Sequence, residues 1–438
     1  MKNIHKNVIF LGFFCACLAM PGAWEDHSTL SFTALSALEL ENRHVAIRSL
    51  SDFVNDNEAG LEKLFAELED WCAKNIKDYP PLPKELSFSE NSSVSPEQRI
   101  MMALRVNPDY KIRYYRKAIP EETASGGVEL PFAELAHTVY NYEGAHFYSH
   151  EAGDSMDALS VLATASDEPD YGLDIGLFKD NDSWYGKLYG FGEQSFGDPR
   201  LVYGSQAPFH MGFYNEAGIV YAAAPSMKRV YPELRTVQFS RLARFAIDAG
   251  EDYWAYRFMG WGLHYLQDQL MPYHASIMPG SSAAYLVWVG LLDMMGVHGP
   301  YNKVLKEVSD KHMLLELMQL QIMYDAYKDK AKGNAILAAL KGKSDKQEAY
   351  EISQLSKKAG KASKKAGNSI SKALGKIIKD KAAFESINIL YEVKGRDIYS
   401  VAYEPGTKQY QVFESILLDL LENVGAYSRA WLDYCLSD

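Results

Sequence analysis

Apolar residues three and four positions apart recur through most of this 438-residue chain, and no other sequence feature constrains its fold as strongly. The pattern covers residues 29–40, 45–68, 239–270, 304–326 and 411–434, and it is typical of helices with one buried face. Strand-like alternation is confined to a weak stretch at residues 397–403. A hydrophobic fraction of 47% is enough for a large core. We therefore predict a mainly α fold, built as a single multi-helix domain.

The first residues have the pattern of a secretory signal peptide. Lys2 and Lys6 precede an apolar run over residues 8–20, which is shorter than the roughly 20 residues that a membrane-spanning helix needs. Small residues end the run at Ala23. We expect residues 1–23 to be removed, so that a domain of residues 24–438 begins at Trp24 and is secreted or periplasmic.

The four cysteines bear on the same question. Acylation of Cys15 or Cys17 would make the protein a lipoprotein, but neither residue follows a good small-residue box, so we favour secretion. Cleavage after residue 23 would leave Cys72 and Cys435. The sequence does not show whether these two thiols lie close enough to form a disulfide.

Two segments depart from regular helical periodicity. Residues 167–210 are rich in Gly, Asp, Tyr and Phe, which predicts a long ordered loop over a site. Residues 328–381 contain 15 lysines against five acidic residues, which predicts a Lys-rich helical insertion. That helix could lie on an anionic membrane surface or be a solvated insertion. Its thin apolar stripe consists of Ile352, Leu355, Ala359, Ala362, Ala366, Ile370, Leu374 and Ile377.

One short segment carries three residues of metal-ligand type. His264 and Asp268 are four positions apart, so they share one face of a helix. Pro272 ends that helix, and the chain can then return His274 toward the first two side chains. Imidazole and carboxylate without thiolate are the ligand types of a catalytic zinc site.

Further candidate ligands are spread along the chain. A free amine at Trp24 could bind metal once its proton is displaced. The other candidates are His27, Asp170 in a turn-forming Glu-Pro-Asp-Tyr segment, His210, and His298, which opens the segment His-Gly-Pro-Tyr-Asn. A rival pair, His146 and His150 beside Glu151, has the spacing of a ligand pair, but we interpret it as a surface feature.

Taken together, these residues resemble the superfamily of zinc-dependent phospholipases C and single-strand-specific zinc nucleases. Chains of that superfamily begin with Trp followed shortly by His, and they carry H-Y-x-G-D-x-x-x-P-x-H. Trp24, His27 and the segment 264–274 match, with Gln267 in place of the usual Gly.

The resemblance implies up to three zinc ions, held in one cleft between helices. The implied ligands are Trp24, His27 and Asp268 for one ion, Asp170, His210, His264 and the bridging Asp268 for a second, and His274, His298 and Asn302 for a third. Asn302 stands where the family has a carboxylate, so the third ion would be held more weakly.

The resemblance also implies a phosphodiesterase in which metal-activated water is the nucleophile and Asp170 orients or deprotonates it. A phospholipase C that acts on phospholipid head groups is our first expectation. A single-strand-specific zinc nuclease is the alternative, and Trp184, Tyr185 and Tyr189 could then supply a base-stacking pair. A third possibility is a non-enzymatic membrane-surface protein on a degenerate scaffold, as Asn302 and the Lys-rich segment would suggest.

Overall fold

A computed structural model of the chain describes residues 26–437, except residues 92, 123–126, 139–143, 201–203, 332, 343–350 and 382–397. Helices dominate these residues, and the strands are short and antiparallel, which confirms the mainly α prediction. The segment predicted to be a signal peptide and Trp24 lie outside the described residues. None of the helices that the structure describes combines the length and apolar composition that crossing a membrane requires.

The helices account for most of the sequence periodicity. In chain order they are α1 (His27–Leu35), α2 (Leu50–Asp56), α3 (Glu58–Asn75), α4 (Pro96–Leu104), α5 (Ala158–Ala165), α6 (Ala207–His210), α7 (Gly218–Ala223), α8 (Pro232–Asp248), α9 (Asp252–Gln269), α10 (Pro272–Ala275), α11 (Ala283–Met294), α12 (Gly299–Lys328), α13 (Asn334–Lys341), α14 (Ile352–Ile377) and α15 (Lys408–Leu436).

The strands form two small antiparallel pairs. These pairs are β1 (His44–Ala46) with β4 (Ser155–Asp157), and β2 (Tyr115–Lys117) with β3 (Phe147–Ser149). Val45 lies opposite Met156 in the first pair, and Arg116 opposite Tyr148 in the second. The strand expected near residue 400 is wrong for the described part of that segment, where Ile398–Ser400 is a 3-10 helix.

Helix α9 lies at the centre of the core, and its side chains are buried along nearly its whole length. It packs against α5, α8, α14 and α15. Gly260 and Gly262 permit two of these contacts, because a Cβ at Gly260 would overlap α5 and one at Gly262 would overlap the ring of Trp431 on α15. The Trp431 ring also donates a hydrogen bond to the carbonyl of Met259, 3.0 Å away. This packing fixes the helix that carries the metal-ligand motif.

Helix α14, at the centre of the Lys-rich segment, is a core element. Its stripe packs against α8, α9, α10 and α15, and only Ala362 and Ala366 of that stripe are partly exposed. Both interpretations of the segment are therefore wrong for α14, because the stripe is neither available to a membrane nor solvated. Small residues explain the close packing: a Cβ at Gly360 would lie 3.6 Å from that of Ala275 on α10. The lysines remain on the outer face, where Lys357 and Lys364 pair with Glu233 and Glu216.

Two further features concern residues singled out from the sequence. The segment 167–210 is mostly irregular where the structure describes it, and it buries aromatic side chains such as Phe178 and Tyr189, as expected of an ordered loop. Cys72 and Cys435 are both buried as free thiols, so they do not form a disulfide.

The core position of α14 gives a direct test. Leu374 is fully buried, so Leu374→Ala should lower the free energy of unfolding by about 2–5 kcal/mol. Lys365→Ala, on the exposed side of the same helix, should change it by less than about 0.5 kcal/mol. Urea denaturation of the two variants measures both values. Equal, small effects would mean that α14 is a solvated insertion.

Candidate metal centre

Five ligand-type side chains meet where α9 passes the start of α1, the end of α6 and a 3-10 turn at Glu168–Tyr171. His264 and Asp268 come from α9, His27 from α1, His210 from α6 and Asp170 from the turn. The ligand atoms of His27, His264 and Asp268, the first cluster, lie within 4.8 Å of one another. The same holds for Asp170, His210 and His264, the second cluster.

Asp268 joins the two clusters. Its Oδ1 lies 3.4 Å from Nε2 of His27, and its Oδ2 lies 3.4 Å from Nε2 of His264 and 2.9 Å from Nδ1 of His210. The side chain is fully buried, whereas that of Asp170 retains 10% of its exposure. Asp268 can therefore bridge two ions, and Asp170 is the carboxylate nearest to solvent.

A buried ion network ties the segment that carries His27 to the segment that carries Asp170. The ammonium group of Lys117 donates to Asp26 Oδ1 at 2.7 Å and to Asp167 Oδ2 at 2.6 Å. Asp26 caps α1 by accepting from the amide of Thr29, and Asp167 accepts from the amide of Ser28 at 3.0 Å. The first turn of α1 is thus tied to the loop that leads into the Asp170 turn.

Neighbouring groups orient the histidine rings. Nδ1 of His264 donates to the carbonyl of Ser166 at 2.8 Å, and Nδ1 of His27 donates to Oε1 of Gln267 at 2.9 Å. Because these oxygens can only accept, Nε2 of each ring is left as the atom that faces Asp268. Gln267 replaces the Gly of the resembled motif, and the structure gives it this orienting contact, which the sequence pattern alone did not indicate.

His210 is held differently. Its Nε2 lies 3.5 Å from Oδ2 of Asp174, and Asp174 is itself fixed by Arg235 at 2.6 Å and by the hydroxyl of Tyr265 at 2.6 Å. The carbonyl of His210 accepts from the side chain of Gln269 at 3.0 Å. Buried polar groups therefore hold the candidate ligands in place, as is usual around metal sites.

Several ligand atoms have no hydrogen-bond partner among the residues that the structure describes. They are Nε2 of His27, Oδ2 of Asp170 and both carboxylate oxygens of Asp268, and all are buried. Leaving such atoms unsatisfied costs about 1–3 kcal/mol each, and more for charged groups. A cation among these atoms would remove that cost, so the residues fit a bound metal ion.

A third cluster lies next to the first two. It consists of His274 on α10 with His312 and Glu316 on α12, all buried, and its ligand atoms also lie within 4.8 Å of one another. Nε2 of His312 is 2.8 Å from Oε1 of Glu316, and Nδ1 of His274 is 3.9 Å from Oδ1 of Asp268. The third cluster is therefore continuous with the others through Asp268.

The predicted third-ion ligands His298 and Asn302 are contradicted by this arrangement. The side chain of His298 is 63% exposed and pairs with Asp293 at 2.6 Å, and Asn302 is also exposed. Both residues lie at the outer end of α12, well before His312. The sequence did contain the needed signal, because His312 and Glu316 are four positions apart with three apolar residues between them.

The remaining sequence candidates divide clearly. His27, Asp170, His210, His264, Asp268 and His274 are brought together, whereas Trp24 lies outside the described residues. The rival pair, His146 and His150, lies at the surface, as we predicted. His146 is exposed and pairs with Glu129, and His150 pairs with Asp154 across 3.4 Å at the surface.

The clusters differ in electrostatic character. Burial lowers the pKa of His210, but Asp268 and Asp174 outweigh it and raise that pKa to about 10. Burial also lowers the pKa of His27, but the carboxylates of Asp268, Asp170 and Asp167 together raise it to about 8. In the third cluster burial dominates and lowers the pKa of His274 to about 4 and that of His312 well below 6.5.

Comparison of the chain with protein-family models, with curated proteins and with solved structures found no match. The assignment of the site thus rests on its geometry: three adjoining buried clusters of His, Asp and Glu that could hold metal ions.

Metal content can show whether His298, as predicted from the sequence, or His312, as found in the structure, belongs to the third cluster. His312→Ala should remove about one ion per chain, because it deletes a nitrogen ligand from a buried site. His298→Ala is the matched control and should keep every ion. Elemental analysis of both purified proteins gives the answer, with circular dichroism to confirm folding. Metal loss in the His298 variant alone would overturn the reassignment.

The pKa values predict how metal uptake depends on pH. At pH 7 the metal-free protein should hold protons on His27 and His210, so filling the first two clusters should release about two protons. Calorimetric titration in two buffers of different ionisation enthalpy measures this release. Affinity should rise as the pH passes about 8 and approaches about 10.

The same shifts fix the sign of the stability change in metal-free protein. The folded pKa values of His27 and His210 exceed the ordinary value of 6.5, so their stabilising effect is complete below pH 6.5. That effect should be lost as the pH rises through about 8 and about 10. Metal uptake at pH 7 without proton release would contradict these protonation states.

Proposed function

We propose that this protein is a secreted zinc-dependent phosphodiesterase of the phospholipase C type. The observation that carries the proposal is the placement of Asp268 among His27, His210 and His264, with Asp170 beside them and the third cluster adjoining. Nitrogen and oxygen ligands without thiolate favour catalytic over structural zinc. The sequence resemblance to zinc phospholipases C supplies the substrate class.

The three clusters would hold the metal ions that phosphodiester hydrolysis requires. Zinc ions in the clusters would supply positive charge to the phosphate oxygens and lower the pKa of water. His27, His264 and Asp268 would hold one ion, and Asp170 and His210, with His264 and Asp268, another. His274, His312 and Glu316 would hold a third, with Glu316 providing the carboxylate that Asn302 lacks.

Asp170 is suited to receive the proton of the attacking water, because it combines contact with both clusters and partial exposure. Its carboxylate lies 3.5 Å from His210 and 4.0 Å from His27. Water adds to phosphorus, the bond from phosphorus to the glycerol oxygen breaks, and that oxygen takes up a proton. The products are diacylglycerol and a phosphorylated head group.

The nuclease alternative receives less support from the aromatic residues proposed to stack bases. Tyr185 and Tyr189 are buried, and the hydroxyl of Tyr189 donates to the carbonyl of Val106 at 2.7 Å. Trp184 is exposed, but neither of these two tyrosines is exposed beside it to stack on the other face of a base. A degenerate, non-enzymatic scaffold is also less favoured. That alternative relied on Asn302 in place of a carboxylate ligand, and Glu316 provides a carboxylate in the third cluster.

Substitution of Asp170 tests the proposal. Asp170→Asn should lower hydrolysis of phosphatidylcholine by roughly 10²–10⁴-fold, since it removes the proton acceptor while keeping an oxygen ligand. Zinc content should stay near that of the wild type. Asp182→Asn, on an exposed part of the same long loop, is the control and should retain full activity.

Parallel assays with single-stranded DNA decide between the two substrate classes. Cleavage of DNA without cleavage of phospholipid would replace the phospholipase with the nuclease. Fully zinc-loaded wild-type protein that cleaves neither substrate would exclude both.

A further inference from the structure

Helix α11 exposes an unusual amount of apolar surface. Tyr285, Trp288, Leu291 and Met295 follow one another at helical spacing, and Trp288 and Met295 are 53% and 78% exposed. Asp293 is the one charged residue of the helix, and its carboxylate is largely covered and paired with His298. A helix at the surface of a soluble protein normally has polar residues on its solvent side, and this face of α11 has apolar residues instead.

Helix α7 extends the same surface. It packs against α11 and exposes Ile219, and residues 217–225 around it contain no charged side chain. We define the apolar face by Ile219, Tyr285, Trp288, Leu291 and Met295. Exposed apolar surface that spans two packed helices marks an interaction site rather than scattered surface residues.

Lysines lie on the elements that flank the apolar face. Lys228 follows α7 and lies over the ring of Tyr221, and Lys303 is exposed at the start of α12. The nearby acidic Glu216 is buried and paired with Lys364. Lys228 and Lys303 are both exposed, so the elements beside the apolar face present positive charge although the formal net charge of the chain is −12.

We propose that the apolar face docks on an anionic phospholipid bilayer. The exposed Trp288 and Tyr285 have the amphipathic rings that settle at the level of lipid head groups. Lysines beside such a face add attraction to anionic lipids. The 12-residue helix is too short to cross a bilayer, so it lies within the interface.

The position of α11 in the chain relates docking to the metal centre. It lies between α10, which carries His274, and α12, which carries His312 and Glu316. Docking through α11 would therefore bring the lipid surface to the segment that joins the two helices carrying the third cluster. The proposal does not require turnover, so it stands or falls apart from the phospholipase assignment.

Vesicle binding by the full chain tests the proposal. All proteins carry Asp170→Asn, so that lipid is not consumed, and they are sedimented with phosphatidylcholine vesicles with and without phosphatidylglycerol. We expect phosphatidylglycerol to strengthen binding. Trp288→Ser with Leu291→Ser should weaken it roughly tenfold or more, since two large apolar side chains no longer leave water.

The matched control is Leu38→Ser with Val412→Ser, two exposed apolar residues on other elements, and it should bind as tightly as the parent protein. Circular dichroism confirms that each protein is folded. Absence of vesicle binding by the parent, or equal binding by the Trp288 and Leu291 variant, would overturn the proposal. Self-association of the parent that this variant abolishes would assign the face to a second copy of the chain instead.

Discussion

The contact of the buried Lys117 ammonium group with Asp26 and Asp167 is the interaction on which the candidate metal centre depends. Burial favours neutral carboxylates, yet Lys117 overcomes it at Asp26 and lowers the pKa of that group. Breaking a buried pair of this kind costs about 3–5 kcal/mol, because the remaining charge stays uncompensated. The network joins the first turn of α1 to the segment before Asp170. It thereby helps to hold His27 and Asp170 near each other, although they are far apart in the sequence.

Most of the fold and the centre of the site could be predicted from the sequence. Helical periodicity identified the main helices, and the spacing of His264, Asp268 and His274 identified the motif, because both depend on local geometry. His298 was assigned as a ligand from a short motif match, and His312 was not among the candidates. The helical pattern over residues 304–326 already placed His312 and Glu316 on one face, but it could not show that this face meets His274, because that contact depends on tertiary packing.

The Lys-rich helix shows a second limit of sequence patterns. An apolar stripe with alanine at its centre predicts an amphipathic helix but does not show which elements cover it. In the structure small residues let α14 approach the turn between α9 and α10, where Ser363 donates to the carbonyl of Gln269 at 2.9 Å. Gln269 in turn binds the carbonyl of His210. A helix that composition marks as peripheral thus supports the backbone of two ligand-bearing elements.

The distribution of ligands along the chain determines the order in which the centre can assemble. His27 stands at the start of the described chain and Glu316 almost three hundred residues later, and Asp268 is needed by both of the first two clusters. During synthesis, a partial chain that stops before α9 lacks Asp268, the carboxylate that the first two clusters share. Any metal capture would therefore come late in folding, once α9 and the helices around it are in place.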